Sequence, residues 1–226
     1  MARIITETMS YFDIIKVFED DRPMLKHKTC DLAKKYYHQL KVNKQQRIMC
    51  SEVNGNRGLN YFVIFCNDSL DDFRKNNPAY TTIAYYYSSK GLVAIDSRIE
   101  VAKEILSGQQ FSHKSYSIYE AHFFDRYRER ILKNQQMQKL DVMKQFFKSH
   151  IMYMAEPQND ERYPDGIYVP INEGMGIGYR LRKDIVVMKT CVSNEQMHNE
   201  QKDIHTICEE IMKNTKIDST MCITRL

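Results

Sequence analysis

An α+β fold is what this sequence predicts, and three observations carry it. Strand-type runs fall into two groups, one early (LNYFVIFC and the runs around Ser-Ser-Lys-Gly) and one late (GIYVPI, GIGYRL and DIVVMKTCV). Segments with apolar residues at i, i+3, i+4, i+7 spacing lie on either side of both groups. The three late runs are separated only by turn residues, which reads as an antiparallel meander. The expected architecture is therefore an antiparallel sheet, the C-terminal three-stranded meander plus N-terminal strands, covered by helices. The chain has 226 residues, 42% of them hydrophobic and 27% charged. That is a globular composition, and a chain of this length buries roughly 70% of its unfolded surface without help from a metal or disulfide.

In chain order, residues 8–20 carry Tyr11, Ile14, Ile15 and Phe18 at helical spacing, and Pro23 is expected to end that helix. Residues 25–40 repeat the pattern with Leu32, Ala33, Tyr36, Tyr37 and Leu40. NGNRG (54–58) reads as a loop and 59–66 as a strand of β-formers. NDSLDDFRKNNP (67–78) opens with a cap signal and reads as a short helix stopped near Pro78. Residues 81–87 and 92–95 form a hairpin, and RIEVAKEIL (98–106) a short helix. Helices are expected over 119–133 and 137–154, then the meander, then a closing helix from Glu195 to Lys213. The organisation divides into an N-terminal α/β portion, 1–110, and a helix–meander–helix portion, 111–226, with no linker that forces two separate domains.

The net charge of +4 and a sequence pI of about 8.6 permit an anionic partner without demanding one. Six cysteines occur, none in a C-x-x-C pair and none with a Cys/His spacing of a zinc site, so no metal and no cofactor is expected. The N-terminus carries no apolar signal-type segment, and no run approaches a membrane span. A cytoplasmic protein with reduced thiols and no membrane partner follows.

Chemistry concentrates in YEAHFFDRYRER, residues 119–130. On a helix, His122, Arg126 and Arg130 fall at i, i+4 and i+8 and make one stripe, with Phe123, Tyr127 and Ile131 about 100° round from it. One reading is a solvated face, Arg126 and Arg130 paired with Glu129 and Asp125. The other is an anion site. Guanidinium forks hold phosphate bidentately, and a neutral imidazole beside them exchanges a proton near neutral pH. That set suffices for RNA cleavage by the RNA's own 2′-hydroxyl: the base removes the proton and the arginines stabilise the phosphorane.

EGMGIGYR (173–180) shares its glycine spacing with dinucleotide fingerprints, but no helix follows and no βαβ unit surrounds it. A glycine-rich hairpin or bulge is the expectation, with Gly174, Gly176 and Gly178 also able to admit a ligand backbone. Strict alternation in DIVVMKTCVS puts Val186, Met188, Thr190 and Val192 on one face; Thr190 there is either an ordinary β-former or, at the end of a sheet packed by the His122 helix, a hydroxyl able to reach a bound phosphate.

The segments AHFFDRYRERI, YVPI, GMGIGYRL and IVVMKTCVS, within residues 112–196, resemble small metal-independent RNases and toxins of the barnase–EndoU–colicin–RelE-like group. The group's order is helices carrying a His and basic residues, then an antiparallel meander ending in a Thr, Ser or Tyr strand. The resemblance implies His122 as general base or acid, Arg126 and Arg130 as phosphate ligands, and Thr190 as a further donor. It implies RNA, or another phosphate-bearing ligand, as the partner. The chain also has the style of a phage or mobile-element protein, for which a non-catalytic nucleic-acid- or protein-binding module is the alternative.

Other candidates are secondary. His113 is a solvated loop histidine or a second catalytic group, His150 a core or helix-end residue, and His198 with His205 share a face without a third ligand. Tyr85 and Tyr87 share a strand face from which they can stack on bases, or belong to the core.

Overall fold

The computed structural model describes residues 5–6, 8–42, 48–55, 57–66, 79–103, 110–150, 156–158, 160–214 and 224–225. The fold is α+β. Its strands are β1 (Ile48–Asn54), β2 (Asn60–Cys66), β3 (Ala79–Ser88), β4 (Gly91–Lys103), β5 (Gln110–Tyr119), β6 (Glu156–Pro157), β7 (Gly166–Ile171), β8 (Gly174–Arg182), β9 (Ile185–Ser193) and β10 (Thr224–Arg225). They form a single sheet in the order β1-β2-β3-β4-β5-β9-β8-β7-β6, with β10 on the free start of β3. The C-terminal meander β7–β8–β9 is as expected. The sheet as a whole is mixed rather than antiparallel, because β5 and β9 run parallel over Tyr116–Tyr119 and Ile185–Met188. The boundary at 110/111 falls at the start of β5, whose ladder with β4 is ten residue pairs long and ties the two portions together.

Two expectations change in the first half. The helices expected over 8–20 and 25–40 are one helix, α1 (Tyr11–Val42), which runs through Pro23. An interior proline costs about 3 kcal/mol. The offset is visible in the register: Ile14, Phe18, Leu25, Thr29, Ala33 and Tyr36 are all buried along one stripe that continues across the proline. Residues 98–103 are strand, not helix. IEVAK alternates as well as it spirals, and the ladder from β4 to Gln110–Ser115 of β5 decides the matter. The segment 67–78 and residues 104–106 lie outside the described residues.

Alternation along the strands separates two cores. Val63, Phe65, Ile95, Ile118 and Val187 pack with Ile14, Phe18 and Leu25 of α1. On the other face Ile64, Ala94, Tyr119, Val169 and Met188 pack with Phe123 and Phe124 of α2 (Ala121–Arg126), Tyr127 of a π-helix (Tyr127–Leu132), and Phe146 and Phe147 of α3 (Lys139–Ser149). A smaller cluster, on the face away from α2, joins Tyr168, Met175, Ile177 and Val192 to Met197 and to Ile204 of α4 (Asn199–Asn214). Tyr85 is buried in the second core, so it offers no stacking platform; Tyr87, at the end of β3, is 62% exposed.

The glycine run is the close-packed hairpin of β8. A Cβ on Gly178 would collide with the Val187 carbonyl oxygen, and one on Gly176 would sit 2.9 Å from Met188 Cε. The space those glycines leave is filled by β9 and Phe123, and no ligand backbone enters there. The β3–β4 hairpin turns at Ser89–Lys90 with Gly91 at φ +117°, a conformation glycine adopts freely.

Candidate functional site

β5 ends at Tyr119 while β9 continues to Ser193. Glu120 N–H adds one last ladder bond to the Met188 carbonyl at 3.1 Å, and α2 begins at once. The helix therefore lies alongside the half of β9 that β5 leaves unpaired. Helical geometry starts at Ala121 rather than 119, and it changes at Tyr127 into a π-helix that ends on Lys133 in the left-handed region. Its apolar side chains Phe123, Phe124 and Tyr127 go to the core; His122 stays exposed and Arg126 and Arg130 are half-buried.

The structure joins His122 to Arg126. Arg126 Nε donates to His122 Nε2 at 3.1 Å, and its Nη1 donates to Glu129. A guanidinium cannot accept, so Nε2 is the acceptor and the ring proton sits on Nδ1. Arg130 takes another direction, its Nη1 donating to the Cys191 carbonyl at 2.8 Å. Both guanidiniums nevertheless act on one spot. Burial pushes the Cys191 thiol up to about 12, and Arg130 and Arg126 are the charges that oppose the shift. Asp125 pairs not with Arg130 but with Lys139, at 2.9 Å, and with Arg128, at 3.6 Å.

Thr190 is not brought to the face on which α2 packs. The ladder runs Gly178↔Met188 and then Ile177↔Thr190, so Lys189 is an extra residue, a β-bulge. The bulge inverts the alternation beyond it. Val186 and Met188 face the α2 side, and Cys191 rejoins them there; Thr190 lies opposite Ile177 on the other face, with Val192. What reaches the Arg130 guanidinium is the backbone of the next residue, Cys191.

His122 borders a cleft of about 600 Å³ between α2, the start of α1 and the β3–β4 turn. Sequence reasoning missed its organising group, Glu120. That carboxylate accepts from Tyr11 Oη at 2.7 Å and from Lys189 Nζ at 2.6 Å. Burial and the neighbouring carboxylate push the Tyr11 hydroxyl up, so it remains a donor. Lys90, also on the cleft wall, is exposed and has no ion pair among the described residues. Tyr11 is 109 positions from Glu120, beyond any local pattern.

The secondary histidines separate. His150 is buried, its Nδ1 donating to the Phe146 carbonyl at 2.8 Å and its Nε2 2.9 Å from Glu173, with the ring stacked on Phe146. His205 is buried against the Ile171 carbonyl. The His113 side chain lies outside the described residues. Among the described residues no group of three or more His, Cys, Asp or Glu side chains is arranged to hold a metal ion, and no helix is long and apolar enough to cross a membrane. Among the described residues, Cys30, Cys50, Cys191 and Cys208 are not joined in disulfides.

Fold and site together define an α+β chain with an imidazole–guanidinium cluster at the step where a parallel strand pair stops. No family model, no curated protein and no solved structure matches it.

Proposed function

We propose that the chain is a metal-independent, ribonuclease-like protein that cleaves RNA by attack of the 2′-hydroxyl on the adjacent phosphate. The observation that supports this most is the Arg126 bridge between His122 Nε2 and Glu129. It is a half-exposed ion pair, weak enough for a phosphate to displace. A phosphate that takes Arg126 bidentately in place of Glu129 turns the guanidinium away from the ring and uncovers the Nε2 lone pair. His122 then removes the 2′-hydroxyl proton; O2′ attacks phosphorus; the 5′-oxygen leaves and is protonated from solvent. Arg126 and Arg130 carry the charge that gathers on the equatorial oxygens. Thr190 remains a candidate donor only from the far side of β9. The reducing cytosol is the compartment that fits four cysteines outside disulfides.

A second reading is a non-catalytic RNA-binding module, of the kind a phage or mobile element carries. It is favoured by the hydrogen bonding of the cluster, in which Nε2 is occupied and both arginines are engaged. The deciding experiment is incubation with a fluorescent RNA pool in EDTA, parent beside His122→Ala. Cleavage by the parent alone is the expected result. Equal cleavage by both would remove His122 from the mechanism; binding without cleavage by either would leave the module.

A further inference from the structure

Lys189 borders a second cavity as well as the His122 cleft. This one, about 470 Å³, lies between β8 and the turn that precedes β7, and its walls include Tyr163, Pro164 and Tyr179. Its volume is within the range of small-molecule sites. Tyr163 is 62% exposed and makes no ring–ring contact among the described residues. An exposed aromatic ring on a floppy loop would mean little, but this loop is tied down. Tyr163 N–H donates to the Asp160 carbonyl at 2.9 Å, Gly166 N–H donates to the Tyr163 carbonyl at 2.8 Å, and Arg180 N–H of β8 donates to the Asp165 carbonyl at 2.7 Å. Arg162, next to the ring, is held by both Asp160 oxygens, at 3.0 and 2.8 Å. Opposite, Tyr179 is half-buried with the Lys189 ammonium 5.5 Å from its ring centre. Two tyrosines with a lysine between them and the His122 cleft form a wall of π-faces beside positive charge.

Resting on the proposed RNA substrate, we propose that this pocket is a nucleobase subsite for single-stranded RNA, taking the base that neighbours the phosphate at His122. Lys189 is bulged out of the ladder at the border of the two cavities, where the connecting backbone would pass. Aromatic platforms of this kind bind bases of any sequence, because every base has a π-face. Holding Tyr163 in place beforehand lowers the ordering cost of stacking.

The test uses fluorescence anisotropy in EDTA with two probes of equal length and charge: a single-stranded RNA ten-mer and its abasic backbone. In a His122→Ala background, which prevents turnover, Tyr163→Ala is expected to weaken the ten-mer about ten-fold. It should leave the abasic probe and the salt slope unchanged, and Tyr163→Phe should bind as the parent does. Thermal melting, expected to be unaltered for an exposed turn residue, guards against a folding defect. If Tyr163→Ala binds the ten-mer as well as its parent while Arg126→Ala does not, the subsite is refuted and the RNA reading stands. If the parent binds neither probe, both fall.

Discussion

The Arg126–Glu129 pair gives a test whose sign separates a site from a surface. If the pair only decorates a helix, removing either partner costs the same small amount of stability, about 0.2–1 kcal/mol for exposed pairs, and RNA is indifferent. If Arg126 is a phosphate ligand held in reserve, the two halves act oppositely. Glu129→Gln removes the competitor and a negative charge beside the phosphate. Recovering about 1 kcal/mol corresponds to a roughly five-fold gain in RNA affinity. Arg126→Ala removes a charge-assisted contact worth about 1.5–3 kcal/mol, a loss of roughly 10- to 100-fold. One phosphate contact fewer also lowers the magnitude of the log K against log salt slope by about 0.7 on a single strand. The assay is anisotropy of a labelled single-stranded ten-mer in EDTA over a salt series, with both variants made on His122→Ala. Equal, small losses of affinity in both variants, or a weaker-binding Glu129→Gln, would refute the reasoning.

Two further predictions concern the frame that holds the site. Glu19 ties α1 to β5: partial burial pushes its carboxyl up, but hydrogen bonds from Lys114, Tyr116 and Arg22 outweigh this and leave it below the ordinary carboxylate range. A depressed carboxyl stabilises the fold above its unfolded pKa of about 4.3, and that contribution is lost as pH falls through the lower folded value. The urea midpoint of Glu19→Gln should therefore trail the parent at neutral pH, by about 1 kcal/mol, and the gap should close in acid; a gap independent of pH would contradict it. Phe146 is fully buried and meets the rings of Tyr119, Phe123, Phe124, Tyr127, Phe147 and His150. Phe146→Ala should cost about 3–5 kcal/mol and lower the melting temperature by roughly 6–20 °C, and a shift under a few degrees would mean the cluster relaxes into the space.

Much of this was legible in the residues, and the failures have local reasons. The meander was readable because Gly-Ile-Tyr-Val-Pro-Ile, the glycine run and Ile-Val-Val-Met are separated by turn pairs, and hairpins are local. The parallel β5–β9 pair was not readable, since Ile118 and Val187 are 69 positions apart and nothing near either one announces the other. Residues 98–103 mislead because Ile99 and Val101 satisfy a two-residue period and Ala102 and Lys103 a helical one. Long-range pairing with β5 broke the tie. His122 and Arg126 were foreseeable as i, i+4 neighbours. Arg130 was not, because its direction depends on the π-helix, and Thr190 was misplaced by one inserted residue.

Those last two departures share a location, and that is informative about the site. A π-helix and a β-bulge each break a regular hydrogen-bond ladder, and each forgoes stability that the regular form would keep. Here they sit side by side: Arg130 is within the π-helix, and its guanidinium ends on Cys191, two residues past the bulged Lys189. Lys189, the donor to Glu120 and the border between the two cavities, is the residue that the bulge leaves outside the ladder. The Phe146 cluster draws on both kinds of helix, with Phe146 and Phe147 on the regular α3 and Tyr127 on the π-helix. The two departures bring two charged side chains to the junction of β5, α2 and β9, Arg130 on the Cys191 carbonyl and Lys189 on the Glu120 carboxylate, and it is on this junction that the proposed function rests.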